Sequence, residues 1–139
     1  MTKVHVLRKD QAGAAAIEFA LAVPVLVSFI WGIFQVGLLF QANAGMQHAL
    51  GEGARFATLC IPTGDSCALQ TDANIKSTIS AKLFGKSDGS FTVFDPVTTT
   101  TGGSKYKTLK ITYTRGMNFL FFQGPNVTLT RQKIVYTPT

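Results

Sequence analysis

The 139-residue sequence is poor in the side chains that carry out catalysis or bind metals. It has two histidines, two cysteines and seven acidic residues, and the acidic residues are dispersed along the chain. The sequence contains no nucleophile elbow, no phosphate-binding loop and no metal-ligand spacing. We therefore expect a protein that is not an enzyme and that has no metal and no cofactor.

The sequence also lacks a nucleic-acid-binding motif, although its formal net charge is +6. Its basic residues are scattered through strand-like segments and form no basic helix. They include Lys105, Lys107, Lys110, Arg131 and Lys133. This pattern predicts a mildly basic, solvated surface and no nucleic-acid partner, and weak attraction to acidic polymers or surfaces stays open.

Charge is nearly absent from one long apolar run, which extends from Ala14 to Phe40. Only Glu18 and Gln35 are strongly polar within it. As a helix the run would be about 40 Å long at about 1.5 Å per residue, whereas a bilayer core is about 30 Å thick. The alternative is a buried core helix, but the rest of the chain is too small to surround it. We therefore predict a transmembrane helix over about 14–40.

Three basic residues, Lys3, Arg8 and Lys9, precede the run. Positive residues that flank a first span tend to stay cytoplasmic. We expect a single-pass membrane protein with its N-terminus in the cytoplasm and everything after Phe40 outside. In a bacterium the membrane would be the inner membrane, and outside would mean the periplasm.

The N-terminal segment does not fit an ordinary secretory signal, whose apolar region is only about 7–15 residues long. Instead, a short polar leader ends in Gly13, and Glu18 follows near the start of the span. The stretch from Gly13 to Phe19 resembles the processing site of type IV prepilins, in which cleavage follows a glycine and a glutamate lies five residues further on. Trp31 to Phe40 and Gly53-Ala54-Arg55 extend the resemblance to the TadE/TadF-like minor pilins of the tight-adherence pilus.

That resemblance implies a leader over 1–13, removed by a prepilin peptidase between Gly13 and Ala14. It implies a long helix over 14–59, in which Glu18 pairs with the free amine of Ala14 on a neighbouring subunit and sets the register. Phe19 would pack against other subunits. The expected partners are other pilins and minor pilins, the peptidase, the inner-membrane assembly platform and membrane lipid. The expected role is in pilus assembly, priming or adhesion, with a final location at the pilus or cell surface.

An alternative function stays open on the sequence. The chain could be an uncleaved single-pass membrane protein whose periplasmic domain binds a ligand or a partner in a secretion or envelope complex. Glu18 would then be an interfacial residue of a signal anchor.

Two features of the long helix allow two interpretations each. Pro24 removes a backbone hydrogen bond and predicts a kink, which could be a flexible point or a static bend. Small residues recur every three or four positions further on and form one helix face. They are Ala42, Gly45, Ala49, Gly53 and Ala57. This face could pack on a partner helix or on the protein's own domain.

Residues 60–139 predict a small α+β domain, so that the fold class is α+β with a long N-terminal helix. Residues 72–84 predict a short helix, with Asp72 as the N-cap and Gly85 at its end. Alternating patterns around Phe91, Leu109 to Thr114 and Val127 to Tyr136 predict an antiparallel sheet. Residues 98–103, TTTTGG, predict a loop.

Two short stretches of this domain stay ambiguous. Cys60 and Cys67 flank a turn, and in an oxidising compartment their spacing favours a structural disulfide over free thiols. The cluster from Phe119 to Phe122 could belong to the core, or it could be an exposed patch that contacts another subunit.

Overall fold

A computed structural model of the protein describes the backbone of residues 11–63 and 66–137, and the side chains of 13–62 and 68–137. The elements in chain order are α1 (Gln11–Ala57), β1 (Cys60–Thr63), β2 (Ser66–Leu69), α2 (Asp72–Ala81), β3 (Ser90–Val93), β4 (Val97–Thr101), β5 (Ser104–Asn118) and β6 (Gln123–Thr137). The predicted α+β fold class is therefore confirmed. Most of the predicted leader, including Lys3, Arg8 and Lys9, lies outside the described residues.

The first helix is 47 residues long and runs through Pro24 without a break. Proline has no N–H, so the carbonyl one turn before Pro24 loses its usual helical donor. Ser28 adds a bond one turn after it, since its Oγ donates to the Pro24 carbonyl at 2.7 Å. The proline is therefore accommodated inside α1 and does not divide it.

A single long hairpin dominates the sheet. β5 pairs with β6 along nearly its whole length, from Lys105 opposite Thr137 to Asn118 opposite Gln123. On its other edge β5 pairs with β4 near its start and with β3 further along, and all of these pairs are antiparallel. β1 and β2 form a separate two-stranded hairpin.

The core lies between the inner face of this sheet, α2 and the C-terminal half of α1. Alternate residues of β5, Leu109, Ile111 and Tyr113, are fully buried, as their pattern predicts. Ile75 and Ile79 of α2 face them and the long helix. Each such side chain contributes about 1.5–3 kcal/mol when it is buried. The domain therefore depends on α1 for its core.

Three predictions about local structure were wrong. Residues 97–101 form strand β4, and only Gly102 and Gly103 make the turn into β5. The β-branched threonines favour a strand, and the positive φ angles of both glycines, 60° and 82°, suit a tight two-residue hairpin turn.

The second helix begins after Thr71, whose side chain accepts a hydrogen bond from the Asn74 amide, so Thr71 and not Asp72 is the N-cap. That helix ends at Ala81, three residues before the predicted end.

Candidate functional site

The N-terminal half of α1 presents apolar side chains on all of its sides. Its large exposed residues are Ile17, Phe19, Leu21, Val25, Leu26, Val27, Phe29, Ile30, Trp31, Ile33 and Phe34. The helix is long and apolar enough to cross a membrane, and its most apolar stretch is not buried against the rest of the protein. A helix that is apolar all round needs an apolar environment. This segment is therefore suited to lipid or to other apolar helices.

The predicted processing residues lie at the start of this helix. The described part of α1 begins at Gln11, so the peptide bond between Gly13 and Ala14 lies within its first few residues. A Cβ built at Gly13 would meet nothing within 4 Å. Glu18 and Phe19 follow on the exposed part of the helix. Nothing in the described fold of this chain covers these residues, so they are accessible to other proteins.

The face of small residues has a different environment, because it packs on the protein's own domain. Ala42, Ala49 and Ala57 are fully buried. A Cβ built at Gly45 would lie 3.0 Å from the carbonyl carbon of Phe84, and closer still to its oxygen. A Cβ at Gly53 would lie 2.8 Å from Cδ1 of Ile79. The small residues therefore let α2 and the segment that follows it approach the backbone of α1.

The tip of the β5–β6 hairpin, Phe119 to Phe122, packs beside the apolar half of α1. Trp31 Nε1 and Gln35 Nε2 both donate to the carbonyl of Asn118, at 2.8 Å and 2.9 Å. The side chain of Gln35 is buried there. These two bonds connect the end of β5 to a part of the helix that the sequence predicts to be transmembrane.

A groove of about 500 Å³ lies between the hairpin tip and the helix. Its walls are almost entirely apolar, with Phe29, Ile33 and Val36 on the helix side and Phe119, Phe121 and Phe122 on the hairpin side. The rings of Phe119 and Phe122 stack with their centroids 4.8 Å apart. Ser28 also lines the groove, but its hydroxyl donates to the Pro24 carbonyl, and none of the lining residues is ionisable.

Further from the tip, charged side chains of the hairpin contact both helices. Lys107 pairs with Asp72 of α2, and Arg131 Nε donates to Asn43 Oδ1 of α1 at 2.7 Å. Both contacts hold the sheet to the helices. Within the described part of the chain, no three His, Cys, Asp or Glu residues are grouped so that they could hold a metal ion.

The most buried ionisable groups are Arg115 and Tyr113, which lie next to each other on the inner face of β5. Burial raises the pKa of Tyr113, and the positive charge of Arg115 opposes part of that rise. The phenol donates to the Lys86 carbonyl at 2.9 Å. Arg115 lies 3.5 Å from a carboxylate oxygen of Asp88, which is itself exposed. These contacts close one end of the core and form no cleft around a reactive group.

A match to a known protein family falls within the long apolar helix α1. Residues 13–55 match the family described as TadE-like protein. The resemblance predicted from the sequence is therefore confirmed for this segment, which is nearly the whole of α1. No curated protein and no solved structure matches the chain.

The TadE-like segment includes most of the residues singled out from the sequence. It begins at Gly13, contains Glu18, Phe19 and Pro24, and ends at Arg55. The match supports a pilin-like role associated with the Tad pilus, and the long apolar helix is consistent with a single-pass membrane protein.

The predicted disulfide lies outside the TadE-like segment and stays a prediction. β1 and β2 place Cys60 opposite Leu69 and Cys67 opposite Pro62, so the two cysteines are on paired strands and two positions out of register. The side chain of Cys67 lies outside the described residues. The chain reversal predicted between the cysteines is present as a hairpin, although Pro62 and Thr63 belong to its first strand.

Sequence reasoning missed the contact between the TadE-like helix and the hairpin tip. Trp31 and Gln35 lie one turn apart, and Asn118 lies at the end of a distant strand. Gln35 did give a signal, because it is the one amide in a long apolar run and a buried amide needs a partner. The sequence could not show which backbone carbonyl accepts its hydrogen bond.

Proposed function

We propose that the chain is a minor pilin or pseudopilin of a Tad-type pilus, cleaved by a prepilin peptidase between Gly13 and Ala14. The observation that carries this proposal is the family match, which begins at Gly13, the residue where the sequence predicts cleavage. The exposed apolar half of α1 supports it, since that surface needs lipid before assembly and other subunits afterwards. The protein itself is not an enzyme in this proposal, and the hydrolysis belongs to the peptidase.

Cleavage gives Glu18 a partner that the precursor lacks. The new α-amine of Ala14 is largely protonated at neutral pH, since such groups titrate near about 8. Glu18 lies four residues further on, about 6 Å along the helix axis. Among packed helices with little water, the carboxylate of one subunit attracts the amine of its neighbour, and an unpaired carboxylate there is costly. The pair therefore sets the axial register of assembly and makes assembly depend on processing.

The experiment introduces Gly13→Ala and Glu18→Ala separately in cells that form pili. We expect Gly13→Ala to block cleavage. A methyl group at Gly13 would meet nothing within 4 Å, so the effect would not come from disturbed packing. Gly37→Ala is the matched control, because Gly37 lies in the same helix and also has nothing within 4 Å of its Cβ position.

We expect Glu18→Ala to be cleaved normally but to assemble poorly. Removal of one partner from a buried ion pair costs about 3–5 kcal/mol, which corresponds to a loss of more than a hundredfold in affinity between subunits. Glu52→Ala is the control, since it removes a carboxylate from the same helix far from the membrane end. Normal pili in both the Gly13 and the Glu18 variants would contradict the proposal. An intact leader on the working wild-type protein would instead favour an uncleaved membrane anchor.

A further inference from the structure

The tip of the β5–β6 hairpin has an unusual composition for a turn. Phe119 N donates to Phe122 O at 2.9 Å and Phe122 N donates to Phe119 O at 3.3 Å, so Leu120 and Phe121 are the two residues at the end of the hairpin. Turns in water favour Gly, Asn, Asp and Pro. Here four large apolar residues occupy the turn, and Leu120, Phe121 and Phe122 are more than half exposed. Such a patch indicates an interaction surface.

The direction of the hairpin places this patch on the membrane side of the domain. Arg131 contacts Asn43, whereas Asn118, next to the tip, contacts Trp31 and Gln35. The hairpin therefore runs along α1 with its tip towards the helix N-terminus. From Asn43 to Trp31 the helix axis covers about 18 Å, at about 1.5 Å per residue.

The length of the apolar helix sets the level of the tip relative to a bilayer. About 20 residues cross the hydrocarbon core. Counted from Ala14 or from Ile17, that length ends at Ile33 or at Val36. Both residues line the groove beside the hairpin tip. If the helix crosses the membrane as the proposed function requires, the tip lies at the boundary between hydrocarbon and water.

The lack of charge at the tip and the tryptophan beside it both fit a position at the boundary between hydrocarbon and water. No ionisable residue occurs from Gly116 to Thr130, so the whole tip is uncharged. Trp31, the single tryptophan of the chain, lies beside it, and tryptophan is enriched at membrane interfaces. A charged side chain is costly where it enters the hydrocarbon, so an uncharged tip is suited to contact with it. Lys105 and Lys133 are carried by the opposite end of the hairpin.

We propose that the hairpin tip, Phe119 to Phe122, inserts into the lipid interface on the side of the membrane opposite the N-terminus. The tip contacts lipid, because it continues the apolar surface of the membrane-spanning helix at the depth where that surface ends. Gly124 helps to shape the tip, since a Cβ there would lie 2.8 Å from the ring of Phe119. The predicted span of 14–40 then becomes shorter at its C-terminal end, because Gln35 is bonded to the domain.

The test uses tryptophan fluorescence in lipid vesicles whose acyl chains carry bromine, which quenches tryptophan on contact. Trp31→Phe removes the native tryptophan, and one new tryptophan is then introduced at Phe121, Tyr136 or Phe19. These three positions are equally exposed, at 71%, 70% and 71%. Phe121 reports on the tip, Tyr136 on the opposite end of the hairpin and Phe19 on the membrane span. The full-length protein is used throughout.

We expect bromine to quench the Phe121→Trp and Phe19→Trp proteins and to leave the Tyr136→Trp protein unchanged. Quenching of Phe19→Trp alone would overturn the inference about the tip while leaving the membrane span intact. A blue-shifted but unquenched Phe121→Trp signal would mean that protein covers the tip, as in contact with a second copy, and would also overturn it. An unquenched Phe19→Trp protein would contradict the membrane span of the proposed function itself. If Trp31→Phe prevents folding, the three tryptophan substitutions are made in the chain that keeps Trp31. The fluorescence of each new tryptophan is then obtained by subtracting the fluorescence of the unsubstituted protein.

Discussion

Replacing Gly45 with alanine is expected to lower the free energy of unfolding of the domain by about 2 kcal/mol, although alanine is the better helix former. The added Cβ would overlap the Phe84 carbonyl, with its carbon at 3.0 Å and the Phe84 nitrogen at 3.2 Å. Both neighbours are backbone atoms, so no side chain can rotate away. The segment around Phe84 has to move outward from α1.

The magnitude follows from two opposing terms. Alanine gains about 1 kcal/mol over glycine inside a helix. Overpacking of a well-packed contact costs about 1–3 kcal/mol. An overlap with backbone atoms belongs at the upper end of that range, so the net loss is about 2 kcal/mol. The displaced segment also loosens Ala42 and Met46, which are fully buried beside Gly45. We therefore expect the overlap to outweigh the gain in helix propensity.

Gly51→Ala is the matched control, with the opposite sign. Gly51 lies in the same helix, and a Cβ there would meet nothing within 4 Å. This substitution should stabilise the protein by up to about 1 kcal/mol. The assay is thermal unfolding of the full chain in detergent micelles, followed by circular dichroism. A change of 1 kcal/mol shifts the Tm of a small domain by about 4–8 °C, so the two variants should differ by roughly 10 °C or more. Equal Tm values would refute the argument that Gly45 is required for close packing.

Three further experiments test individual contacts of the fold. Trp31→Phe and Gln35→Leu should each lower the free energy of unfolding only a little, because the other donor still reaches the Asn118 carbonyl. In a double-mutant cycle measured by thermal unfolding, the double variant should lose about 1–3 kcal/mol more than the sum of the two single losses. Thr71→Ala should cost about 0.5–2 kcal/mol in the same assay through loss of the α2 N-cap. Burial in the folded state raises the pKa of Tyr113 above its usual value near 10, so the free energy of unfolding should fall as the pH rises through that higher pKa. Tyr113→Phe should remove this loss of stability. An unchanged pH dependence in the Tyr113→Phe variant would contradict the prediction.

The periodicity of the sequence was sufficient to predict the main elements of the fold. The apolar run and the following small residues predicted one long helix, and the alternation around Leu109 and Ile111 predicted a strand with a buried face. The four threonines before Gly102 were misread, because polar residues next to glycines are typical of loops. The β-branched side chains there favour a strand, and the two glycines alone make the turn.

Contacts between distant parts of the chain could not be predicted from the sequence. The spacing of Gly45 and Gly53 showed that something approaches the helix closely, but it did not distinguish α2 of the same chain from a partner helix. For Phe119 to Phe122 the sequence left both a core cluster and an exposed patch open. The structure has elements of each, since Phe119 packs towards the helix while Leu120 and Phe121 are exposed.

The mass of the intact protein extracted from membranes and from purified pili tests the central claim most directly. Processing predicts a chain that begins at Ala14 in assembled pili, with the thirteen-residue leader only in the membrane precursor. Functional pili whose copies of this protein all begin at Met1 would contradict the account.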